Sequence, residues 1–124
     1  MFFIHTFNII QISTSIHFIN QFSIMDKEKA FIILAAITPI EDIILKIESN
    51  NFRDCDINYL DEKVQAFTSV ALQSLHINIV IPKHVAKDVN KHSKDYYLPI
   101  NDNRKDYYLR IFRVLLKHFR KYVE

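Results

Sequence analysis

The sequence contains no glycine in 124 residues, where average usage of about 7% would give roughly nine. Glycine supplies positive φ angles and lets the backbone approach a phosphate group closely. Its absence excludes phosphate-binding P-loops, dinucleotide-binding fingerprints and the G-x-S-x-G nucleophile elbow, and with them the enzymes that depend on those loops. Nine asparagines remain for the left-handed turn positions that glycine usually takes.

The sequence also has only one cysteine and a small net charge. The single Cys55 excludes an internal disulfide and suits a reducing compartment, so we expect a cytoplasmic protein. The formal net charge of +2 is too small to indicate nucleic-acid binding by itself. Apolar residues make up 49% of the chain and charged residues 24%, which is ordinary globular usage. The length suits one domain with one core.

The first 24 residues contain no Lys, Arg, Asp or Glu. Polar residues interrupt every apolar run, so neither a membrane span nor a signal peptide is predicted. Even positions from Ile10 to Ile24 are mostly apolar and odd positions mostly polar, which is strand periodicity. Two interpretations stay open: residues 1–24 are a strand-like extension, or translation starts at Met25 and they are not natively made.

Residues 25–124 are predicted to form a single mainly α domain, a small bundle of about four helices. Asp26 can cap a first helix, and Thr38-Pro39-Ile40-Glu41 has the pattern of a second helix start with a capping box. Because Pro39 removes a backbone donor without always ending a helix, the two pieces could also form one kinked unit. Asn50 and Asn51 are expected to end it.

The second half carries three further predicted elements. Asp56 or Asn58 can cap a helix with an apolar face, and residues 75–81 alternate like a short β-strand, in competition with helix continuation. A short helix is predicted after Pro82. The last helix is the most regular, with Asn103 as its predicted cap. It has one apolar stripe: Tyr108, Ile111, Phe112, Leu115, Phe119 and Tyr122.

The opposite face of the last helix is basic and gives two alternative functions. A nucleic-acid-binding regulator could use this face, because clustered Lys and Arg gain from counterion release; its members are Arg110, Arg113, Lys117, Arg120 and Lys121. Arg113 and His118 also form an R-x4-H spacing that resembles the RNase motif of the HEPN superfamily. In that family the residue after the arginine is usually polar, whereas here it is Val114.

No metal or cofactor site is predicted. His84, Asp88 and His92 recur every four residues, but on a helix the three span about 12 Å, which is too far for one ion. No catalytic carboxylate pair or Ser-His-Asp order stands out. The preferred interpretation is therefore that the chain is not an enzyme.

The segment HSKDYYLPINDNRKD, residues 92–106, carries the most specific pattern. It resembles the signature of the colicin and pyocin nuclease immunity proteins, in which a histidine precedes an aspartate, a tyrosine pair, a proline and an Asn-acid-Asn-Arg-x-Asp run. Here one residue is added on each side of Pro99. TPIEDIILKIE is similar to the family's first helix, and together the likeness covers about a third of the chain. The family's loop glycine is absent, and the family is usually acidic.

The resemblance implies a cytoplasmic bacterial inhibitor that neutralises a bacteriocin-like toxin, a nuclease in that family, by protein–protein contact. The tyrosine pair would contact the toxin, and residues of the preceding helix would set specificity. Tyrosine suits such contacts because it combines a large rigid area with a polar tip. Nearby aspartates would make the patch acidic and attract a basic partner. The expected partner-binding residues are Asp88, His92, Asp95, Tyr96, Tyr97 and Asp102.

Overall fold

The computed structural model describes residues 24–81, 94 and 96–124 and is mainly helical. Three α-helices, α1 (Ile24–Glu48), α2 (Ile57–Leu75) and α3 (Asp102–Val123), are joined by a short 3-10 turn at Asp54–Asp56 and by a longer connection before α3. The prediction of a small helical bundle is confirmed. The helix predicted after Pro82 and, apart from Ile24, the predicted N-terminal extension at residues 1–24 lie outside the described residues, so the described bundle has three helices where about four were expected.

Helix α1 runs through Pro39 without a break, so the single-unit alternative is the correct one. Proline cannot donate the hydrogen bond that the Ala35 carbonyl would normally accept. Both residues are exposed, so water can reach that carbonyl from the solvent side. On the other side, a continuous apolar face stays buried on both sides of the proline and offsets the lost bond. Its members are Ile33, Ala36, Ile37, Ile40, Ile43, Ile44 and Ile47.

Two helices end at a residue with left-handed backbone. Because the chain has no glycine, other residues take these positions. Asn50 has φ of 58° and follows α1. Its amide donates to the Ile47 carbonyl at 3.1 Å, and the Asn51 amide donates to the Lys46 carbonyl at 2.9 Å, which is a Schellman ending. His76 has φ of 54° and ends α2. Asparagine and histidine are among the residues that tolerate this conformation best.

Two predicted helix starts are corrected. Helix α1 already includes Ile24, so Asp26 lies in its first turn and does not cap it. Helix α3 begins at Asp102, and its cap is Asn101, not Asn103. The Asn101 Oδ1 accepts the Arg104 amide at 2.9 Å, which satisfies one of the donors that a helix start leaves open.

The helices surround one apolar core, with α1 packed mainly on α3. Arg120 reaches Glu41 and Arg113 reaches Glu48, so α1 and α3 run in opposite directions. Tyr108 contacts Asp61, which places the start of α2 beside the start of α3. The predicted stripe of α3 is buried except for half-buried Tyr122. The largest fully buried side chains of this helix are Tyr108, Phe112 and Phe119.

Beyond Leu75, neither of the two alternatives predicted for residues 75–81, a short strand or a continued helix, is found. Leu75 is the last residue of α2, and residues 76–81 have no regular secondary structure. Burial still alternates through them, since Ile79 is buried while Asn78 and Val80 are exposed. The period of two is therefore present, but a strand also needs a paired neighbour, and none is found among the described residues.

Candidate protein-binding surface

Residues 96–101, the elbow, connect to α3 and contain the tyrosine pair of the sequence pattern. Tyr97 is 66% exposed and Leu98 is 52% exposed, while Tyr96 is half-buried. The rings of Tyr96 and Tyr97 meet edge to face, with centroids 4.7 Å apart and planes at 88°. Such a pair is a favourable aromatic arrangement. The two rings therefore form one apolar surface that includes a largely exposed tyrosine.

Backbone hydrogen bonds attach the elbow to the segment between α1 and α2. The Asp54 amide donates to the Leu98 carbonyl and the Cys55 amide donates to the Tyr96 carbonyl, both at 3.0 Å. The Ile100 amide donates to the Phe52 carbonyl at 3.3 Å. Arg53 and Pro99 form an isolated antiparallel bridge at the centre of this contact. Pro99 lacks an amide hydrogen and so suits an isolated bridge, where no ladder needs its donor.

Two arginines add side-chain contacts at this point. We call residues 52–56 together with Arg104 the clasp. Arg53 Nη1 donates to the Tyr97 carbonyl at 2.8 Å. Arg104 Nη1 donates to Asp54 Oδ1 at 2.6 Å, and only 15% and 24% of the two side chains is exposed. Because little water reaches these two charged groups, their charge-assisted hydrogen bond is stronger than that of an exposed ion pair. The two arginine contacts join residues 44 and 50 positions apart, so the elbow is fixed on a turn that lies much earlier in the chain.

Two adjacent tyrosines, Tyr107 and Tyr108, lie in the second turn of α3, close to the elbow in the chain. Tyr108 is fully buried, and its hydroxyl donates to Asp61 Oδ1 at 2.6 Å. Burial, followed by the hydrogen bond to Asp61 and its negative charge, raises the pKa of Tyr108 far above its ordinary value. The Tyr107 ring lies edge to face on Tyr108, with centroids 5.0 Å apart. Burial and the charge of Asp61 also raise the pKa of Tyr107.

The expected partner-binding residues divide into two groups. Tyr96, Tyr97 and Asp102 lie at the same end of the bundle, and Asp102 is the exposed first residue of α3. The other three, Asp88, His92 and Asp95, lie outside the described residues. The described charges beside the elbow have both signs, because Arg53 is exposed there and Asp54 is paired with Arg104. Asp102 is also exposed there, while Asp88 and Asp95 lie outside the described residues, so the acidic character expected of the patch stays a prediction.

Sequence reasoning did not find the clasp. The Asn-Asp-Asn-Arg run pointed to Arg104, but nothing pointed to its partner Asp54, fifty residues earlier. The RDCD stretch at 53–56 has only the pattern of a turn. A useful signal was the buried apolar residue on each side, Phe52 and Ile100, because a loop anchored by an apolar side chain must lie against the core.

The basic face of α3 is partly neutralised within the fold. Arg110, Arg113, Lys117 and Lys121 are exposed, and Arg120 is half-buried. Arg113 Nη2 donates to Glu48 Oε1 at 3.1 Å, and Arg120 Nη2 donates to Glu41 Oε1 at 2.7 Å. Two of the five cations thus already have carboxylate partners on α1, which reduces the potential available to a phosphate backbone.

The residues of the RNase-like spacing are not brought together. Arg113 lines a shallow hollow with Lys117 and Arg120. His118 is half-buried and lines a different groove, beside Ile77 and Val80. In residues 24–81, 94 and 96–124, no group of three His, Cys, Asp or Glu side chains is placed to hold a metal ion. None of the described helices has both the length and the hydropathy of a membrane span.

Comparisons with family models, with curated proteins and with solved structures give no match to this chain. The arguments for function therefore depend on the residues and the geometry of the elbow.

Proposed function

We propose that this chain is an immunity-type inhibitor that binds and neutralises a bacteriocin-like toxin, a nuclease by the resemblance, through the tyrosine elbow. The observation that carries the proposal is the largely exposed side chain of Tyr97 on a loop that is fixed at every second residue. Exposed aromatic side chains cost little rotamer entropy on binding and often dominate protein interfaces. The ordered match from His92 to Asp106 supports the same role.

Rigidity is the second support for an inhibitor. Association costs free energy for every loop and side chain that becomes ordered at the interface. The elbow is already held by three backbone hydrogen bonds and by the Arg53 contact to the Tyr97 carbonyl. A partner would therefore meet a preformed surface. Preformed surfaces of this kind are typical of tight inhibitors, whose interfaces move little on binding.

Mixed charge beside the elbow affects the choice of partner. A strongly basic toxin would gain little from the described residues, because exposed Asp102 is offset by exposed Arg53 and Asp54 is paired. Affinity would then depend on the aromatic contact more than on long-range attraction. We accordingly expect the complex to weaken only modestly with salt, since charge mainly raises the association rate.

The test uses the product of the neighbouring gene, which is expected to be a toxin. Co-expression of the two proteins in a heterologous host should restore growth that the toxin alone arrests. Tyr97→Ala should weaken binding of the purified pair by about 2 kcal/mol, a loss of about thirtyfold in affinity, if the ring is a binding hot spot. Leu72→Ala is the control, because Leu72 is another exposed apolar side chain, at 52%, but lies on α2.

The proposal is contradicted if the neighbouring product is harmless to the host. It is equally contradicted if Tyr97→Ala and Tyr96→Ala both bind the toxin as tightly as the unchanged chain. Cleavage of RNA by the purified chain, lost in His118→Ala, would instead favour the RNase alternative. Binding to nucleic acid that falls steeply with salt would favour the regulator alternative.

A further inference from the structure

A groove of about 250 Å³ lies between residues 77–80 and one side of α3, and no residue of the elbow or the clasp lines it. Most of the described residues that line the groove are apolar: Ile77, Ile79, Val80, Ile111 and Val114. Val80 is 85% exposed and Val114 is 37% exposed, although both side chains are apolar. Exposed apolar side chains that share one groove often mark a binding site.

The polar side chains of the groove are spaced along it. They are Asn78, Arg110 and His118. Arg110, Val114 and His118 are four residues apart on α3 and so lie along one side of the helix. At a rise of about 1.5 Å per residue, roughly 12 Å separates the Cα atoms of Arg110 and His118. The α3 wall of the groove therefore has a guanidinium towards one end, an imidazole towards the other and the apolar Val114 between them.

The Arg110 guanidinium is available to a ligand. It is exposed and forms no ion pair or hydrogen bond within residues 24–81, 94 and 96–124, whereas Arg113 and Arg120 have carboxylate partners on α1. The sequence pattern assigned Arg110 to a nucleic-acid-binding face and His118 to an RNase-like spacing. The groove instead brings these two side chains together around an apolar surface, a combination that neither interpretation uses.

The charge of the groove has one sign. No acidic side chain of the described residues lines it, and Arg110 gives it a permanent positive charge. An adjoining hollow of about 740 Å³ differs, because two carboxylates and two ammonium groups line it, those of Asp26, Glu124, Lys29 and Lys121. That hollow therefore favours neither sign. A guanidinium binds a carboxylate through two parallel hydrogen bonds, so the ligand that matches the groove combines an apolar body with one carboxylate.

We propose that the groove binds a small apolar carboxylate, of the chemical class of a medium-chain fatty acid. The carboxylate pairs with Arg110, and the apolar chain covers Val80 and Val114, which removes exposed apolar surface from water. Small-molecule sites commonly have this composition, with an apolar lining and a few polar groups that fix the orientation of the ligand. A nucleic acid fits less well, because the groove offers one permanent cation to a row of phosphates. The inference does not depend on the proposed inhibitor function, which uses the elbow.

Titration of the full chain with octanoate, followed by NMR at concentrations where octanoate stays monomeric, tests the site. Amide signals of residues 77–80, Val114 and His118 should shift together and saturate, while those of Tyr97 and Leu98 in the elbow stay in place. Octanol has the same chain without the charge and should bind about tenfold more weakly, because the charge-assisted hydrogen bonds are lost. Acetate has the carboxylate without the chain and should give no saturating shift.

Two variants separate the roles of charge and apolar surface. Arg110→Gln keeps a long polar side chain but removes the charge, so it should weaken octanoate binding about tenfold and leave octanol binding unchanged. Lys117→Gln is the matched control, because Lys117 is an exposed cation of α3 that does not line the groove. Val114→Asp changes an exposed position and places a negative charge in the groove, so it should weaken octanoate binding more than octanol binding.

The proposal is overturned if octanoate gives no saturating shifts at the groove, or if octanol binds as tightly as octanoate. It is also overturned if Arg110→Gln and Lys117→Gln bind octanoate equally well. None of these results bears on the inhibitor function, which is tested separately through the binding of a toxin to Tyr97→Ala.

Discussion

The two ends of the bundle are stabilised by different interactions. At the elbow end, the end of α1 and the starts of α2 and α3 are joined by hydrogen bonds and a nearly buried ion pair, among them Arg104 with Asp54 and Tyr108 with Asp61. At the opposite end, buried apolar side chains such as Ala30, Ile33, Phe119 and Val123 close the core, and the partly exposed ion pair of Arg120 with Glu41 lies towards this end.

The difference follows from how each kind of interaction acts. Hydrogen bonds are directional, so they fix one loop conformation, whereas apolar burial stabilises many similar arrangements. A surface that must present one fixed shape benefits from directional contacts. The comparison therefore supports a preformed binding surface at the elbow.

The largest effect is expected from Arg104→Ala at the elbow end. The change removes a charge-assisted hydrogen bond and leaves the mostly buried Asp54 carboxylate without this partner. We expect a loss of about 3 kcal/mol in the free energy of unfolding. Amides of Asp54, Cys55 and Ile100 should exchange faster, which hydrogen exchange and chemical denaturation together can measure.

Arg110→Ala is the control for this change, because Arg110 is an exposed arginine on the same helix. It should alter stability by less than about 0.5 kcal/mol, as most surface substitutions do. Equal effects from the two variants would show that the clasp does not hold the elbow, and the contrast between the ends would lose its basis.

A smaller effect is expected from Tyr108→Phe, at about 1.5 kcal/mol for the hydrogen bond to Asp61. This effect should depend on pH. The pKa of Tyr108 is raised in the folded state, while in the unfolded chain it is near its ordinary value of about 10. The unfolded chain therefore loses this proton first as the pH rises. The stabilisation is complete below pH 10 and declines above it.

Denaturation at a series of pH values checks the prediction. Above about pH 10 the unchanged protein should lose stability more steeply than Tyr108→Phe, because the variant lacks the titrating hydroxyl. Tyr59→Phe, which removes an exposed hydroxyl, should follow the unchanged protein. Parallel curves for all three proteins would mean that the Tyr108 hydroxyl is not held as the structure indicates.

The fold was predictable where local pattern and tertiary packing agree. The stripe of α3 repeats at helical spacing, and Ile111, Phe112 and Leu115 are buried as that spacing predicts. The strand at 75–81 was predicted wrongly because its period of two is local, whereas a strand requires a partner that a sequence does not reveal. The cap of α3 was misplaced by two residues because both Asn101 and Asn103 are good capping residues.

The candidate site was predictable only in part, for a physical reason. Tyr96 and Tyr97 stand out in the sequence because their chemistry suits an interface. The clasp that fixes them depends on contacts between residues far apart in the chain, 44 and 50 positions for the two arginine contacts, and no local pattern encodes those contacts. Sequence patterns thus indicate which side chains could bind a partner, but the rigidity that makes binding efficient appears only in the folded chain.

The smallest effect is expected from substitutions at the two helix ends that have left-handed backbone, His76 and Asn50. His76 has a Cβ atom that this conformation crowds, and glycine has none, so His76→Gly should relieve strain at the opposite end. Glycine also gains entropy in the unfolded chain, which offsets part of the benefit. We expect a net gain of about 0.5 kcal/mol in thermal or chemical denaturation. Asn50→Gly is the matched change at the elbow end and should gain less, because asparagine tolerates the left-handed region better. A loss of stability in His76→Gly would show that the imidazole makes contacts at this end that outweigh the backbone strain.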